Sequence, residues 1–112
     1  IWIGRNAKNN DELTQKHTHK NDLWLHAKDV SGSHVVIKQN GKEDFPADII
    51  EKAARLAAWY SKRKNDSVCP VLYTPRKYVR KPKGMLPGQV IVDREQVVLV
   101  EPASIETLTN PE

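Results

Sequence analysis

The chain has 112 residues, a net charge of +4 at pH 7 and a single cysteine, Cys69. This length fits one small domain with one core, and one cysteine excludes an internal disulfide or a zinc site made of several thiolates. No run reaches the roughly 20 apolar residues of a membrane-spanning helix, and no signal peptide is visible. We therefore expect no membrane partner and a reducing, cytoplasmic setting.

The chain opens directly on Ile1-Trp2-Ile3, which is strand-like and lacks an initiator methionine. We interpret it as a domain cut from a longer protein. Residues 4–10 are rich in glycine and asparagine and predict a loop. Asn9, Asn10 or Asp11 is then expected to cap a short helix that runs to about His19.

Residues 21–38 alternate twice between apolar and polar side chains, which predicts two half-buried strands. Residues 29–33 join them and contain a glycine, so an antiparallel hairpin is expected. With Lys28 opposite His34, His26 would face Val36 and Trp24 would face Lys38. One face of this hairpin is aliphatic. The other is predicted to be open to solvent and to carry the function.

Residues 47 to about 64 have helical spacing, with Pro46 suited to the first turn. This long helix is expected to cover the aliphatic face of the sheet. Residues 68–73 predict a strand in which Pro70 indicates an edge or a bulge. Residues 76–81 are expected to be extended or loop-like.

Residues 89–93 and 96–100 predict a second hairpin, joined through Arg94-Glu95. Residues 103–112 predict a disordered tail after a domain that spans 1–102. The resulting fold class is α+β: an antiparallel sheet of β-hairpins covered on one face by a long helix, plus a short N-terminal helix.

The positive charge is concentrated between Ser61 and Gly84. This segment carries +7, so the rest of the chain carries −3. Such a field favours a polyanionic partner, and the alternative is an ordinary solvated face. The segment's cations are interleaved with Tyr73 and Tyr78, which combines phosphate contacts with stacking surfaces.

Two further features of the sequence fit a nucleic acid. Trp24 on the polar hairpin face is either a stacking platform or the cover of a second layer. The loop from Gly4 to Ala7 is suited to hold a phosphate with its backbone amides and Arg5.

Four histidines raise the question of a metal site or a hydrolase. His26, His34, Asp22 and Ser33 would be its members, but no HxH strand motif, HExxH helix motif or GxSxG elbow is present. The alternative is that the histidines bond to backbone or RNA groups. We therefore predict a non-catalytic domain without a metal or cofactor, and keep a metal-dependent hydrolase as an alternative.

Three long motifs, GRNAKNNDELTQKH, DLWLHAKDVSGSHVVIK and KPKGMLPGQVIVD, closely resemble the C-terminal RNA-binding domain of NFACT proteins. The resemblance covers residues 1 to about 102. It implies an RNA-binding module of a ribosome quality-control factor that binds obstructed large ribosomal subunits and tRNA and supports C-terminal tailing of stalled chains. The family's older label, fibronectin-binding protein, implies a surface adhesin as the alternative.

The resemblance also implies candidate contact residues within the matched motifs. Positions such as Gly32, Gly84, Pro87 and Gly88 are expected to shape the fold. Further candidates come from the basic segment, the positively charged stretch between Ser61 and Gly84. The candidate RNA-contacting residues are Arg5, Asn6, Asn9, Asp22, Trp24, His26, Ser33, His34, Arg76, Lys77, Arg80, Lys81 and Lys83.

Overall fold

The computed structural model describes residues 1–39, 41 and 44–109. The polar segment 39–44, which contains Gly41, predicts a turn, and its residues 40, 42 and 43 lie outside the described residues. The helices and strands confirm the α+β class. In chain order they are β1 (Trp2–Ile3), α1 (Ala7–Lys16), β2 (Leu23–Ala27), β3 (Val35–Ile37), α2 (Ala47–Trp59), β4 (Cys69–Pro75), a 3₁₀ turn (Arg76–Tyr78), β5 (Val79–Arg80), β6 (Ile91–Val92), β7 (Gln96–Val100) and α3 (Ile105–Thr109).

The main sheet is antiparallel and its strands lie in the order β1-β3-β2-β4-β7, while β5 and β6 form a separate ribbon. The predicted β2–β3 hairpin is confirmed. Its register is different, because Trp24 pairs with Val36 and Leu25 with Val35. The shift from the predicted register is an even number of residues, so every side chain stays on its predicted face.

The predicted second hairpin is wrong. β6 pairs with β5, and β7 pairs with β4. The physical reason is a second core on the far face of the sheet, where Val90 and Val92 pack against Trp24 and Val79. This burial holds β6 away from β7, and Arg94 between them has a positive φ of 52°.

The expected edge position of Pro70 is also wrong, since β4 lies between β2 and β7. The Pro70 carbonyl accepts a hydrogen bond from the Lys28 N–H at 2.9 Å, just beyond the last residue of β2. A residue's N–H and C=O point to the same neighbour in an antiparallel sheet. The missing N–H of Pro70 would therefore point to Lys28, one residue beyond the end of β2, so its absence removes no hydrogen bond to a residue within β2.

Helix α2 lies on the aliphatic face of the sheet. Its alanines, Ala53, Ala54, Ala57 and Ala58, pack with Leu23, Leu25, Ala27, Val35 and Ile37 in the first core. The helix ends at Trp59 rather than near Lys64. There the chain turns to join the 29–34 loop: the Tyr60 carbonyl accepts from the Ser33 N–H, and the Lys62 N–H donates to the Ser31 carbonyl, both at 3.0 Å.

Helix α1 begins earlier than predicted. Asn6, with extended φ and ψ, is its N-cap, and its side-chain oxygen accepts from the Asn9 N–H at 2.8 Å. The helix ends at Lys16. It covers part of the second face of the sheet, where Leu13, Trp24 and Val36 meet in the second core.

The C-terminal segment is only partly within the described residues. Ala103 is buried, and its N–H donates to the Arg55 carbonyl at 3.3 Å. Residues Ile105–Thr109 form α3, and the predicted disorder of 110–112 lies outside the described residues. The domain boundary at residue 102 stays a prediction. Within the described part of the chain, no helix is both long and apolar enough to cross a membrane.

Candidate functional site

An open groove with a volume of about 1040 Å³ lies on the second face of the sheet. Its walls are the start of α1, the 29–34 loop with residues 60–62, and residues 85–92. Its floor consists of side chains from β2 and β4 and of His34. From the sequence candidates, the groove brings together Arg5, Asn6, Trp24, His26, Ser33 and His34.

Asn10 fixes the first wall to the loop beside it. Its side-chain oxygen accepts from the His34 N–H at 3.0 Å, and its side-chain nitrogen donates to the Gly32 carbonyl at 3.2 Å. A Cβ at Gly4 would lie 2.0 Å from the Asn10 side-chain oxygen, so this bridge requires a glycine there. The groove's shape therefore depends on residues 4 and 10 as a pair.

The second wall forms where the 29–34 loop meets the chain after α2. Gly32 and Ser61 form an isolated antiparallel bridge. A Cβ at Gly32 would lie 2.8 Å from the Ser61 Cβ, which is too close for any other residue without a shift. This contact places the exposed side chain of Lys62 at the groove, a position that the sequence did not indicate.

Three aromatic rings form the floor. The Trp24 and His26 rings are parallel, with centroids 5.8 Å apart, and His34 meets both of them edge-on at 5.1 and 5.4 Å. Trp24 and His34 are each only 1% exposed. The prediction that this face is open to solvent is therefore wrong for these two residues, because α1 and β6 cover them with a second layer.

Both ring nitrogens of His34 have partners. Since a carbonyl only accepts, Nε2–H donates to the Gly88 carbonyl at 3.1 Å, and Nδ1 accepts from the Thr14 hydroxyl at 2.7 Å. Burial, and after it the neighbouring His26, lower the pKa of His34 from 6.5 to about 4. His34 is thus a neutral, structural histidine.

His26 is the half-buried member of the ring cluster. Its Nδ1–H donates to the Ala27 carbonyl at 2.6 Å. Burial lowers its pKa, although backbone hydrogen bonds at Ala27 and Gly32 act in the opposite direction. A neutral imidazole in the groove is a hydrogen-bonding and stacking group rather than a cation.

The third wall, residues 85–92, is attached to α1 through Gly88. The Gly88 N–H donates to Asp11 Oδ1 at 2.9 Å, and its carbonyl accepts from His34. Gly88 has a φ of +81°, and a Cβ there would lie 3.3 Å from Ala7. Only glycine satisfies both conditions without strain or a shift.

Asp22 lies away from the groove and joins three segments of the chain. It accepts from the His19 and Gln39 N–H groups at 2.8 and 2.7 Å, and it pairs with Lys38 at 2.8 Å. Burial alone would raise the pKa of Asp22, but these hydrogen bonds outweigh it and lower the pKa. Its carboxylate is occupied by protein donors.

The basic segment does not form one continuous cationic surface. The Arg76 guanidinium is half-buried and donates to the Thr14 and Val79 carbonyls, both at 2.7 Å. Arg80 is paired with Asp93 at 2.7 Å. Lys77 and Lys83 remain exposed, and they, like Asn9, lie outside the groove lining.

The hydrolase alternative gains no metal site. Within residues 1–39, 41 and 44–109, no group of three or more His, Cys, Asp or Glu side chains is arranged to hold a metal ion. Ser33, its proposed nucleophile, is buried.

Sequence reasoning missed the residues that assemble the groove, chiefly Asn10, Asp11 and Thr14. The available signal was the polar spacing of α1: Asn10 and Thr14 are four residues apart and flank Leu13, so they share its buried face. A helix with so little apolar surface must be held by polar contacts. That inference was open from the sequence.

The close approaches at Gly4, Gly32 and Gly88, the aromatic floor and the start of α1 thus shape a groove on one face of an α+β domain. The family described as "NFACT protein RNA binding domain" matches residues 1–94. The chain belongs to this family of RNA-binding domains, as its motifs suggested.

Curated relatives and a solved structure agree with this assignment. The Rqc2 homolog RqcH of Bacillus subtilis is 41% identical over 102 residues, which are 91% of this chain and 17% of that protein. The coiled-coil domain-containing protein 25 homolog of Dictyostelium discoideum is 32% identical, over 87% of this chain and 48% of that protein. The chain thus spans less than half of either relative.

The solved structure described as the C-terminal of the fibronectin/fibrinogen-binding protein from Streptococcus suis has the same fold. Its TM-score is 0.87 at 37% identity, over 96% of this chain and 42% of that one.

Proposed function

We propose that this domain binds RNA through the groove, as a module of a ribosome-associated quality-control factor. The family assignment and the similarity to the Rqc2 homolog RqcH support the biological setting. The observation that carries the groove as the site is the position of Arg5 and the N-terminus of α1 above a floor that holds the half-buried His26.

The rim of the groove suits phosphates. Arg5 and Lys62 are exposed on two different walls, and within the described residues neither takes part in an ion pair. The N-terminus of an α-helix attracts anions through its free N–H groups and its dipole. The second wall also carries the acidic side chain of Asp29. Its negative charge weakens the attraction of this wall for a phosphate.

The floor suits unpaired rather than duplex RNA. Neutral His26 offers a ring, and Leu72 an apolar side chain, to a base in the groove. Single-stranded RNA exposes base faces that stack on such surfaces, whereas a duplex hides them. The exposed Lys77 and Lys83 add long-range attraction without belonging to the groove.

In the whole protein, this binding would contribute to recognition of large ribosomal subunit RNA and tRNA, and to tailing of stalled chains in the cytoplasm. These activities belong to a protein of which this chain is a part. For the domain itself we propose binding without catalysis.

The test is binding of the chain to labelled tRNA, unpaired RNA, duplex RNA and large ribosomal subunits at about 50 and about 200 mM salt, where phosphate contacts lose affinity steeply. Lys62→Ala is compared with Lys52→Ala, which makes the same charge change on the exposed side of α2. We expect Lys62→Ala to weaken binding and to reduce the salt slope by about 0.7 on unpaired RNA, and Lys52→Ala to do neither. Equal effects would contradict the groove as the site.

Binding to fibronectin is the second candidate function, favoured by the description of the Streptococcus suis structure as part of a fibronectin/fibrinogen-binding protein. Nuclease-treated chain is tested against immobilised fibronectin, with and without competing RNA. Binding that persists without RNA and ignores Lys62→Ala would support this candidate.

A further inference from the structure

Residues 82–90 lie between Lys81 and β6, and they contribute Met85, Leu86 and Gln89 to the third wall of the groove. Leu86 is 65% exposed, so apolar burial of its side chain does little to hold this wall. Val90, at the end of the segment, packs against the second core, and before it the attachment to α1 is polar and comes from two points, Lys81 and Gly88.

The ammonium group of Lys81 is fully occupied. Its Nζ donates to the Leu86 carbonyl at 2.7 Å and to the Gln89 carbonyl at 2.9 Å, and it lies 3.0 Å from Asp11 Oδ1. An ammonium has three N–H bonds, and here there are three acceptors. The side chain is 19% exposed. No hydrogen is left for a phosphate oxygen unless one of these contacts breaks.

Asp11 receives both attachments of the wall. Its Oδ1 accepts from Lys81 and from the Gly88 N–H, while Gly88 bonds on its other side to the His34 ring. Burial alone would raise the pKa of Asp11, but the bonds from Lys81 and Gly88 lower it. The carboxylate is therefore charged at neutral pH and links α1 to the wall.

We propose that Lys81 and Asp11 are positioning residues that clamp residues 82–90 against α1 and so set the width of the groove. Lys81, a basic residue in a matched motif, acts on RNA through the wall rather than by touching a phosphate. This inference rests on the proposed function, because it concerns how the same groove receives RNA.

The clamp and direct electrostatics predict opposite signs for one variant. Asp11→Ala removes a negative charge next to the groove, so simple attraction predicts tighter RNA binding. The clamp predicts weaker binding, because the wall loses both of its bonds to Asp11, is left with the Gly88–His34 bond and the packing of Val90, and must be ordered on binding. We expect a loss of about tenfold, the size of an ordering cost at an interface. Alanine is a good helix former, so α1 should persist.

Lys81→Met is compared with Lys83→Met, the same change at an exposed lysine two positions away. We expect Lys81→Met to weaken binding to unpaired RNA about tenfold while the slope of log K against log salt stays unchanged. The double variant with Asp11→Ala should lose little more than either single variant, since both break one unit. Asp11→Glu, which keeps the carboxylate, should recover part of the affinity.

Hydrogen exchange of the free chain separates the clamp from a general loss of stability. We expect faster exchange in residues 85–90 of Asp11→Ala and Lys81→Met, with unchanged protection of β2 and β4. Tighter binding by Asp11→Ala, a salt slope reduced by about 0.7 in Lys81→Met, or unchanged exchange in 85–90 would overturn the proposal. If the unmodified chain binds no RNA, the proposed function fails, and the exchange experiment still decides the clamp.

Discussion

The two faces of the main sheet are stabilised by different kinds of interaction. On one face, the alanines of α2 pack directly on aliphatic strand residues, and this core is apolar throughout. On the other face, a small apolar cluster around Trp24 and Leu13 is surrounded by buried polar groups, including Asn10, Thr14 and His34. The first face stabilises the fold by removing apolar area from water. On the second face, each buried polar group also needs a hydrogen-bond partner.

The difference shows how a small domain separates stability from binding. Apolar packing is non-directional, so it stabilises the fold without fixing the position of any polar group. A polar network fixes distances, because each buried donor needs its acceptor in place. The groove lies on the second face, where the Asn10 and His34 hydrogen bonds set its walls.

The largest loss of stability is expected from a substitution in the apolar core. Leu25→Ala on the α2 face should lower the free energy of unfolding by about 2–5 kcal/mol, through lost burial and a cavity. Leu99→Ala in β7 is the matched control, because Leu99 is on the other face and 67% exposed. It should cost no more than about 0.5 kcal/mol. Urea unfolding measures both, and similar losses would contradict the assignment of the faces.

Acid should weaken the polar face specifically. His34 has a pKa of about 4 in the fold against an ordinary 6.5, so the unfolded chain binds the proton first as pH falls. Stability is then full above pH 6.5 and declines between 6.5 and 4 by about 1.4 kcal/mol per pH unit, or about 2 kcal/mol by pH 5.

The lowered pKa of His26 acts in the same direction. Urea unfolding at pH 7, 6 and 5 therefore compares the unmodified chain with His34→Gln, which cannot titrate there. The variant should show a shallower pH dependence. Identical slopes would mean that His34 is not buried as described.

A single hydroxyl tests the network at one bond. Thr14→Val keeps the side-chain shape but removes the donor to His34 Nδ1, which leaves a buried acceptor without a partner. We expect a loss of about 1–2 kcal/mol in thermal or urea unfolding. Thr107→Val on the exposed surface of α3 is the control and should stay within about 0.5 kcal/mol. No difference between the two variants would argue against the hydrogen bond.

The smallest effect is expected at an ion pair near the solvent-exposed end of β2. Lys28 and Glu95 lie 3.6 Å apart, and each side chain is 39% exposed. Solvent screens such pairs, so Lys28→Ala should cost less than about 1 kcal/mol. The loss should vanish at about 1 M salt, where the Debye length is about 3 Å. A larger loss that resists salt would place this pair in the polar network.

Local patterns in the sequence predicted the elements with strong periodicity. The alternation over 21–38 predicted the β2–β3 hairpin and its two faces, and helical spacing predicted the start of α2 at Ala47. The end of α2 was missed because it depends on the distant Ser31 and Ser33. Pairing of β7 with β4 instead of β6 is also long-range, and no local pattern contains it.

The groove was predictable only in part. The motifs contained Arg5, Asn6 and His26, which do line it. They could not show that Trp24 and His34 are covered, because the cover comes from α1 and residues 90–92. The sequence around a lysine also does not show whether its ammonium group faces solvent or is bound by three protein acceptors, as it is at Lys81.

The lining of the groove comes from positions as far apart in sequence as Arg5 and Val92. An unfolded chain therefore has no partial version of it, and a ligand of the groove binds only the native state. Such a ligand raises the melting temperature by mass action, by about 2.7 kcal/mol of added stability at a concentration 100 times its Kd. Heat denaturation in the presence of candidate RNAs thus becomes a ranking of ligands that needs no label, and every core variant that populates the unfolded state will register as an apparent loss of affinity.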